Sequence, residues 1–205
     1  MNFLTFKEQL KNYTVFSLSD IRKLDDRFDL RRLSEWQAKG YLQQIRRGYY
    51  TFAGLEISES VLYLMANKIY APSYVSLEMA LAHYHLIPEA VYGITSVAAR
   101  KTKRFETAYG DFIYRHIKPP LMFGYQLIDY RGQSFRIAEV EKALLDYFYL
   151  NVHLTAREDF DELRFHDEEF KRQADKVKLQ RYLLAFGNKS LSGRVRKFLR
   201  HINYD

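Results

Sequence analysis

The sequence predicts an α+β fold in three segments, and changes of periodicity along the chain mark them. Residues 1–55 combine two short helices with a β-hairpin, residues 56–150 mix helical and alternating patterns, and residues 151–205 are helical and highly charged. Apolar residues three and four apart indicate helices, whereas alternation of apolar and polar residues indicates strands. We therefore expect an N-terminal module, a mixed α/β domain and a basic helical C-terminal extension.

The N-terminal module begins with two helices separated by a polar turn. Ser17 or Ser19 is suited to cap the first helix, because a hydroxyl there accepts a backbone N–H that has no helical partner. A turn at residues 25–27 leads into a second helix over residues 28–39. This helix ends at Gly40, and glycine most easily adopts the left-handed conformation that follows a helix.

The second helix has an apolar side and a charged side. At 100° per residue, Leu30, Leu33 and Trp36 fall together, and we expect that side to be buried. The opposite side and the preceding turn carry residue types that pair with base edges in the major groove and with phosphates. These candidate DNA-binding residues are Arg27, Arg31, Arg32, Glu35 and Lys39.

A basic hairpin follows the second helix. Two β-prone runs, residues 41–45 and 49–52, flank Arg46, Arg47 and a glycine, which predicts a turn. We expect both arginines to lie against phosphates or to enter the minor groove. Two helices and then a basic hairpin are the order of a winged helix-turn-helix, which predicts binding to double-stranded DNA. The alternative is a small module with a solvated, charged helix and no DNA role.

Composition restricts the class of protein. The 205 residues can bury a substantial core, and the absence of cysteine excludes disulfides and cysteine-based zinc sites. No run of about 18 apolar residues occurs, from which we expect a cytoplasmic protein without a membrane partner. The net charge of +7 suits a polyanionic partner.

The positive charge is concentrated at the two ends of the chain. Residues 1–56 carry ten Lys and Arg against seven Asp and Glu, residues 57–150 ten against nine, and residues 151–205 twelve against nine. Two cationic clusters are candidate surfaces for RNA or for the acidic pocket of a toxin, with a solvated strand edge as the alternative. Their members are Arg100, Lys101, Lys103 and Arg104 in the first, and Arg194, Arg196, Lys197 and Arg200 in the second.

The middle segment is predicted to alternate helices and strands. Its last helix carries apolar residues at i, i+3, i+4, i+7 and i+8, which we expect to form the core of the domain. Those residues are Val140, Ala143, Leu144, Tyr147 and Phe148. The expected elements are helices near residues 58–69 and 77–84, strands near 92–97, 104–107, 112–116, 125–130 and 134–137, and a helix at 139–150.

Catalytic motifs are absent or weak. The sequence has no nucleophile elbow, no phosphate-binding P-loop and no HExxH zinc motif. Asp159 and Asp161 imitate the metal-binding pair of nucleotidyltransferases, but the chain has no Gly-Ser dipeptide to seat the phosphates. Acids around Lys142 resemble a nuclease cluster, yet Glu139–Lys142 and Lys142–Asp146 are ordinary helical pairs three and four residues apart. We therefore expect no enzymatic activity, no cofactor and no metal.

Three blocks of sequence resemble the signature of AbiEi-type antitoxins. The first is PSYVSLE at residues 72–78 with its continuation to residue 89, and the second is residues 105–116. The third, residues 137–146, is similar to the family's Ala-x-x-Glu-Lys-Ala-Leu-Leu-Asp run. With the N-terminal module ahead of them, the resemblance covers about residues 5–150.

This resemblance implies an antitoxin encoded beside a nucleotidyltransferase-like toxin in a bacterial two-gene system. In the family, the winged helix represses the operon's own promoter at inverted repeats, and the C-terminal part counteracts the toxin, usually without a stable complex. The expected partners are promoter DNA and, directly or indirectly, the toxin. Two other interpretations stay open: a winged-helix transcriptional regulator whose middle domain senses a ligand or dimerises, and a metal-dependent nuclease guided by the winged helix.

Overall fold

A computed structural model describes residues 1–88 and 93–204 and has a mixed α+β architecture that ends in a helical region. The described residues form two β-sheets, one of three strands and one of six. Among the helices of these two ranges, none has both the length and the apolar composition of a membrane-spanning segment.

The N-terminal module packs three helices on the smaller sheet. Phe6 lies at the centre of its core, with ring centroids 4.7 Å from Trp36 and 5.6 Å from Phe16 and Phe28. The sheet is antiparallel with the order β1-β3-β2. The elements are α1 (Phe3–Leu10), β1 (Phe16–Ser17), α2 (Leu18–Leu24), α3 (Arg31–Ala38), β2 (Leu42–Arg46) and β3 (Tyr49–Phe52).

Local sequence explains the helix ends in this module. Ser17 caps α2, as predicted, in a reciprocal capping box with Asp20. Gly40 has φ +70° after α3, as its type predicts. The second predicted helix, however, begins only at Arg31, because the Asp29 carboxylate accepts the Arg31 backbone N–H at 3.1 Å in a turn. The expectation that Leu30 is buried is therefore wrong, since its side chain is exposed.

The larger sheet has the strand order β6-β7-β5-β4-β9-β8. Strand pairs β5–β7 and β4–β9 are parallel and the others antiparallel. The two predicted hairpins, β6–β7 and β8–β9, are confirmed, whereas Tyr92 of the predicted strand lies outside the described residues. The elements are α4 (Glu59–Ile69), β4 (Ser73–Val75), α5 (Glu78–His83), β5 (Ile94–Ala98), β6 (Lys103–Thr107), β7 (Gly110–His116), β8 (Tyr125–Tyr130), β9 (Gln133–Ala138) and α6 (Val140–Leu150).

The C-terminal helices pack on α6 rather than extending away from it. Phe148 of α6 lies 4.9 Å from the ring of Phe198, and Tyr149 lies 5.3 Å from Phe186. These residues belong to one core with the apolar face of the larger sheet. The helices are α7 (Arg157–Glu162), α8 (Asp167–Gln173), α9 (Lys176–Phe186) and α10 (Lys189–His201).

Candidate nucleic-acid interface

Helix α3 turns a charged face to solvent above an aromatic core. Leu33 and Trp36 are buried, and the Trp36 ring contacts Phe3 and Phe6 at centroid distances of 5.3 and 4.7 Å. On the other side, Arg31, Glu35 and Lys39 follow one another at four-residue spacing and are exposed. Arg32 is half-buried. Because the buried side is packed by rings, the orientation of the charged face is fixed.

Arg31, at the start of α3, has an acidic partner in Asp29. Its guanidinium lies 3.1 Å from the Asp29 carboxylate, and its side chain and backbone N–H hold the Asp29 pKa below its ordinary value. A guanidinium has five N–H donors, so Arg31 keeps donors for a second partner. Within the described ranges, Arg27, Lys39 and Arg47 form no ion pair and their side chains are exposed.

The hairpin places its two arginines in different surroundings. Arg47 lies exposed at the turn, which Gly48 closes with φ +85°. Arg46 instead points into the middle domain: its Nε and Nη2 donate to the Ile69 carbonyl at 3.0 and 2.5 Å. Its guanidinium also lies 4.6 Å from the ring centroid of Phe105. These contacts hold the Arg46 side chain against the middle domain, and a contact of Arg46 with DNA stays a prediction.

A β-bulge accounts for the direction of the Arg46 side chain. The pairing of β2 with β3 shifts register between Gln44 and Arg46. A bulge of this kind bends the strand and redirects the side chain that follows it. Arg46 thereby becomes a structural contact between the hairpin and the larger sheet.

Further contacts fix the N-terminal module on the middle domain. The Lys68 ammonium lies 3.1 Å from the Asp20 carboxylate, and the Gln133 side chain accepts the Thr14 backbone N–H at 2.7 Å. Val15 and Ile45 belong to the core of the middle domain rather than to that of the module. Any ligand of the α3 face is therefore held in a defined orientation relative to the larger sheet.

The first cationic cluster lies at the start of edge strand β6. All four of its predicted members are exposed. Arg104 pairs with Asp111 at 2.5 Å, and the Arg100 guanidinium lies 5.0 Å from the ring centroid of Tyr70. The Lys103 ammonium lies 6.0 Å from the centroid of the Phe105 ring, which the Arg46 guanidinium also contacts. This cluster is thus a surface next to the hairpin.

The packing of α10 leaves three members of the second cationic cluster exposed and buries the fourth. Arg196, Lys197 and Arg200 are exposed, as predicted. Arg194 is only 8% exposed, and it donates to the Phe148 carbonyl at 2.7 Å and to Ser190 Oγ at 2.8 Å. The expectation that Arg194 lies on a surface is wrong, because its guanidinium satisfies a carbonyl near the C-terminal end of α6.

The acids and lysine of α6 form a buried network. The Lys142 ammonium donates to Tyr74 Oη at 2.7 Å and to the Asp146 carboxylate, which also accepts from Tyr74 at 2.8 Å and from Ser76 Oγ at 2.9 Å. Lys142 and Asp146 are both fully buried. Burial lowers the pKa of Lys142 and raises that of Asp146, while their mutual attraction opposes both changes.

The network confirms one of the helical pairs predicted on α6 and corrects the other. Lys142 pairs with Asp146, but Glu139 accepts instead from Tyr182 Oη at 2.5 Å and lies 3.6 Å from the Lys178 ammonium. Two of the three blocks that resemble the antitoxin family meet here, since Tyr74 belongs to the first and Lys142 to the third. These motif residues hold the fold together, and they are closed to solvent.

The acids that imitate a metal-binding pair serve other contacts. Asp159 accepts the backbone N–H groups of Thr155 and Ala156 at the start of α7, which lowers its pKa. Asp161 lies 3.2 Å from His201 Nε2. In residues 1–88 and 93–204, no group of three or more His, Asp or Glu side chains is placed to hold a metal ion.

Comparison of the chain with protein-family models found no match, and comparison with curated proteins found none. The family resemblance therefore depends on the three sequence blocks alone.

Proposed function

We propose that the protein is a DNA-binding antitoxin that represses its own operon and counteracts a nucleotidyltransferase-like toxin. In this proposal, residues 17–52 act as a winged helix-turn-helix on the promoter. The observation that carries it is the charged face of α3, held outward by the buried Leu33 and Trp36 and followed by a hairpin with Arg47 exposed at its turn. An aromatic back and a cationic front suit a helix that enters the major groove.

The exposure of each charged residue suggests its role on DNA. Arg31 and Arg32 are assigned to base edges, since arginine pairs bidentately with guanine, and Glu35 to an amino group of cytosine. Arg27, Lys39 and Arg47 are assigned to phosphates, where exposed cations displace counterions. Arg46 is assigned chiefly to positioning the hairpin, through its hydrogen bonds to the Ile69 carbonyl.

The antitoxin part of the proposal depends on the resemblance of the three blocks. The candidate surface for this activity is the set of exposed cations that remains after Arg194 is removed. Those residues are Arg100, Lys101, Lys103, Arg104, Arg196, Lys197 and Arg200. Clustered cations attract RNA or an acidic pocket and accelerate association in a salt-dependent way.

Titration of labelled DNA tests the first activity. The full-length protein should bind the region upstream of its own gene more tightly than a scrambled fragment of equal length. Arg47→Ala should weaken both complexes alike and lower the slope of log affinity against log salt by about 1. The matched control is Arg172→Ala, an exposed cation of α8 that should leave both affinities unchanged. Equal affinity of the wild type for the two fragments would contradict the proposal.

Growth rescue tests the second activity. Co-expression of the full-length protein with the neighbouring gene should restore growth that this gene alone inhibits. Charge reversal at Arg196, Lys197 and Arg200 should reduce the rescue, whereas Arg31→Ala should retain it. Full-length variants are preferable to truncation near Glu56, because Val15 and Ile45 contribute to the core of the middle domain. The antitoxin proposal would be contradicted if the neighbouring gene were not toxic, or if the protein did not relieve its toxicity.

A further inference from the structure

Strand β6 lies at one edge of the larger sheet and pairs with β7 alone among the described residues. Thr107 and Gly110 flank the two-residue turn between these strands, so they form a hydrogen-bonded pair, and such pairs alternate along the ladder. Phe105, two residues earlier, bonds to β7 for the same reason. The backbone N–H and C=O groups of Arg104 and Glu106 therefore point to the outer edge, where a further strand can bind them.

The two faces of β6 have different surroundings. Phe105 faces the hairpin β2–β3, where the Arg46 guanidinium lies 4.6 Å from its ring centroid. The side chains of Arg104 and Glu106 lie on the opposite face and are 58% and 80% exposed. Arg104 pairs with Asp111 of β7 at 2.5 Å, whereas Glu106 reaches only Arg104 Nε, at 3.8 Å, within the described residues. A guanidinium has five N–H donors, so Arg104 can bind a second carboxylate.

An antiparallel contact between two copies of β6 sets opposite charges against each other. In the register centred on Phe105, Arg104 of each copy lies opposite Glu106 of the other, and these are the residues whose backbone groups point outward. Registers shifted by two residues set Arg104 against Arg104 or Glu106 against Glu106, and like charges directly opposite are destabilising. The edge is therefore complementary to itself in one register.

Lys103, the other cation of the strand, does not oppose this contact. In the same register it lies opposite the uncharged Thr107 of the other copy. The two Lys103 residues are then four residues apart along the strands, or roughly 14 Å, which exceeds the Debye length of about 8 Å at physiological salt. The opposite edge of the sheet, β8, has Asp129 as its charged residue and no cation, so it lacks this complementarity.

We infer that two copies of this protein pair through β6, so that their six-stranded sheets become one continuous sheet. Backbone hydrogen bonds and two symmetry-related ion pairs between Arg104 and Glu106 hold the contact. Because β6 has five residues, the contact buries little area, and we expect a dimer that forms at micromolar concentration or above. The inference goes beyond the proposed function, since it holds whether or not the protein binds DNA.

Sedimentation of the full-length protein over a series of concentrations tests this inference. We expect the wild type to pass from monomer to dimer between micromolar and millimolar concentration. Arg104→Glu and Glu106→Arg should each weaken the dimer by about tenfold or more, because each turns two attractive pairs into repulsive ones. An equimolar mixture of these two variants should associate again, since the acidic edge of one then meets the basic edge of the other. Lys197→Glu changes an exposed cation of α10 and should dimerise as the wild type does.

Hydrogen exchange of the wild type locates the contact without any substitution. The amides of Arg104 and Glu106 should exchange more slowly as the concentration rises, whereas the outward-pointing amide of Leu127 on β8 should not change. A dimer that both single variants retain, a mixture that does not associate, equal loss in Lys197→Glu, or protection of amides outside β6 would overturn the inference. A wild type that stays monomeric throughout would also overturn it and would leave the edge for a strand of a different protein.

Discussion

Helices α3 and α6 are both amphipathic and both rich in charge, yet the fold uses their charges in opposite ways. Arg31 and Glu35 of α3 lie in solvent, whereas Lys142 and Asp146 of α6 are fully buried and hydrogen-bonded to Tyr74 and to each other. An apolar stripe alone does not distinguish these situations. The number of neighbouring elements distinguishes exposed from buried charges. Helix α3 is covered on one side, whereas α6 is covered by the sheet and by α9 and α10.

The difference has an energetic consequence. An exposed pair such as Arg31–Asp29 is solvated in both the folded and the unfolded state, so it contributes little to folding. A buried pair has lost its water, and each ion depends on its partner for compensation. The charged side chains of α3 can therefore bind a ligand at little cost in stability, whereas those of α6 are needed for the stability of the fold.

The largest effect is expected from removing one member of the buried pair. Lys142→Ala should lower the free energy of unfolding by about 3–5 kcal/mol, because it leaves the Asp146 carboxylate buried without a cation. Replacement of both residues, as Lys142→Met with Asp146→Leu, should cost much less than either single change. Urea unfolding measures all three, and Arg157→Ala in the exposed Arg157–Asp161 pair is the control. A double variant as unstable as the single variants would show that the two side chains do not compensate each other.

A smaller loss is expected from the apolar face of the same helix. Leu144 is 1% exposed, and Leu144→Ala should lower the free energy of unfolding by about 2–5 kcal/mol through lost burial and a cavity. Leu127→Ala removes the same group from an exposed position and should have little effect. If Leu144→Ala unfolds like the wild type, the face of α6 is not core.

The sequence predicts α6 well because its periodicity is long and strong. Four of the five residues expected inside, Val140, Ala143, Leu144 and Phe148, are buried, and Tyr147 is half-buried. The two β-hairpins are likewise specified locally by their turns. Elements whose ends depend on a neighbouring side chain are less predictable, as at Asp29, where an Asx turn delays the start of α3.

Contacts between distant segments were not predictable from local pattern. Arg46 looks like a hairpin-tip cation in sequence, and only the bulge in β2 and the position of Ile69 turn it inward. Arg194 fits an arginine-rich face, but α6 ends beside it with a carbonyl to satisfy. Sequence reasoning thus located the exposed cations of α3, but it could not detect the tertiary contacts that engage Arg46 and bury Arg194.

Arg46 and Arg47 allow a comparison, within one hairpin, of a half-buried arginine held by tertiary contacts with an exposed one. Arg46→Ala should lower the free energy of unfolding by about 1–3 kcal/mol, since it removes two hydrogen bonds to the Ile69 carbonyl and contacts with two rings. Arg47→Ala should leave stability unchanged and weaken DNA binding. Thermal unfolding of both variants, with DNA titration, separates the two roles. Loss of stability in Arg47→Ala with none in Arg46→Ala would reverse the assignment.

The smallest effect concerns acid stability. Burial alone would raise the pKa of Asp20, but hydrogen bonds from Ser17 and the Lys68 ammonium lower it below its ordinary value. A carboxyl group with a lowered pKa in the folded state stabilises the protein above its unfolded pKa, and this contribution is lost as the pH falls below about 4. Asp20→Asn should lower the free energy of unfolding by about 1 kcal/mol or less at pH 7. The variant should also lose less stability than the wild type when the pH is lowered. An unchanged acid profile would show that Asp20 does not contribute.

We propose that the charges of α3 bind DNA and do not support the fold. The most direct measurement is the ratio of affinities of Arg31→Ala for promoter and scrambled DNA, with its unfolding curve determined on the same preparation. We expect the promoter complex to lose about 1–3 kcal/mol, the ratio to fall towards one, and the unfolding curve to match that of the wild type. An unchanged affinity ratio together with a lowered stability would contradict the claim and would assign α3, like α6, to the fold.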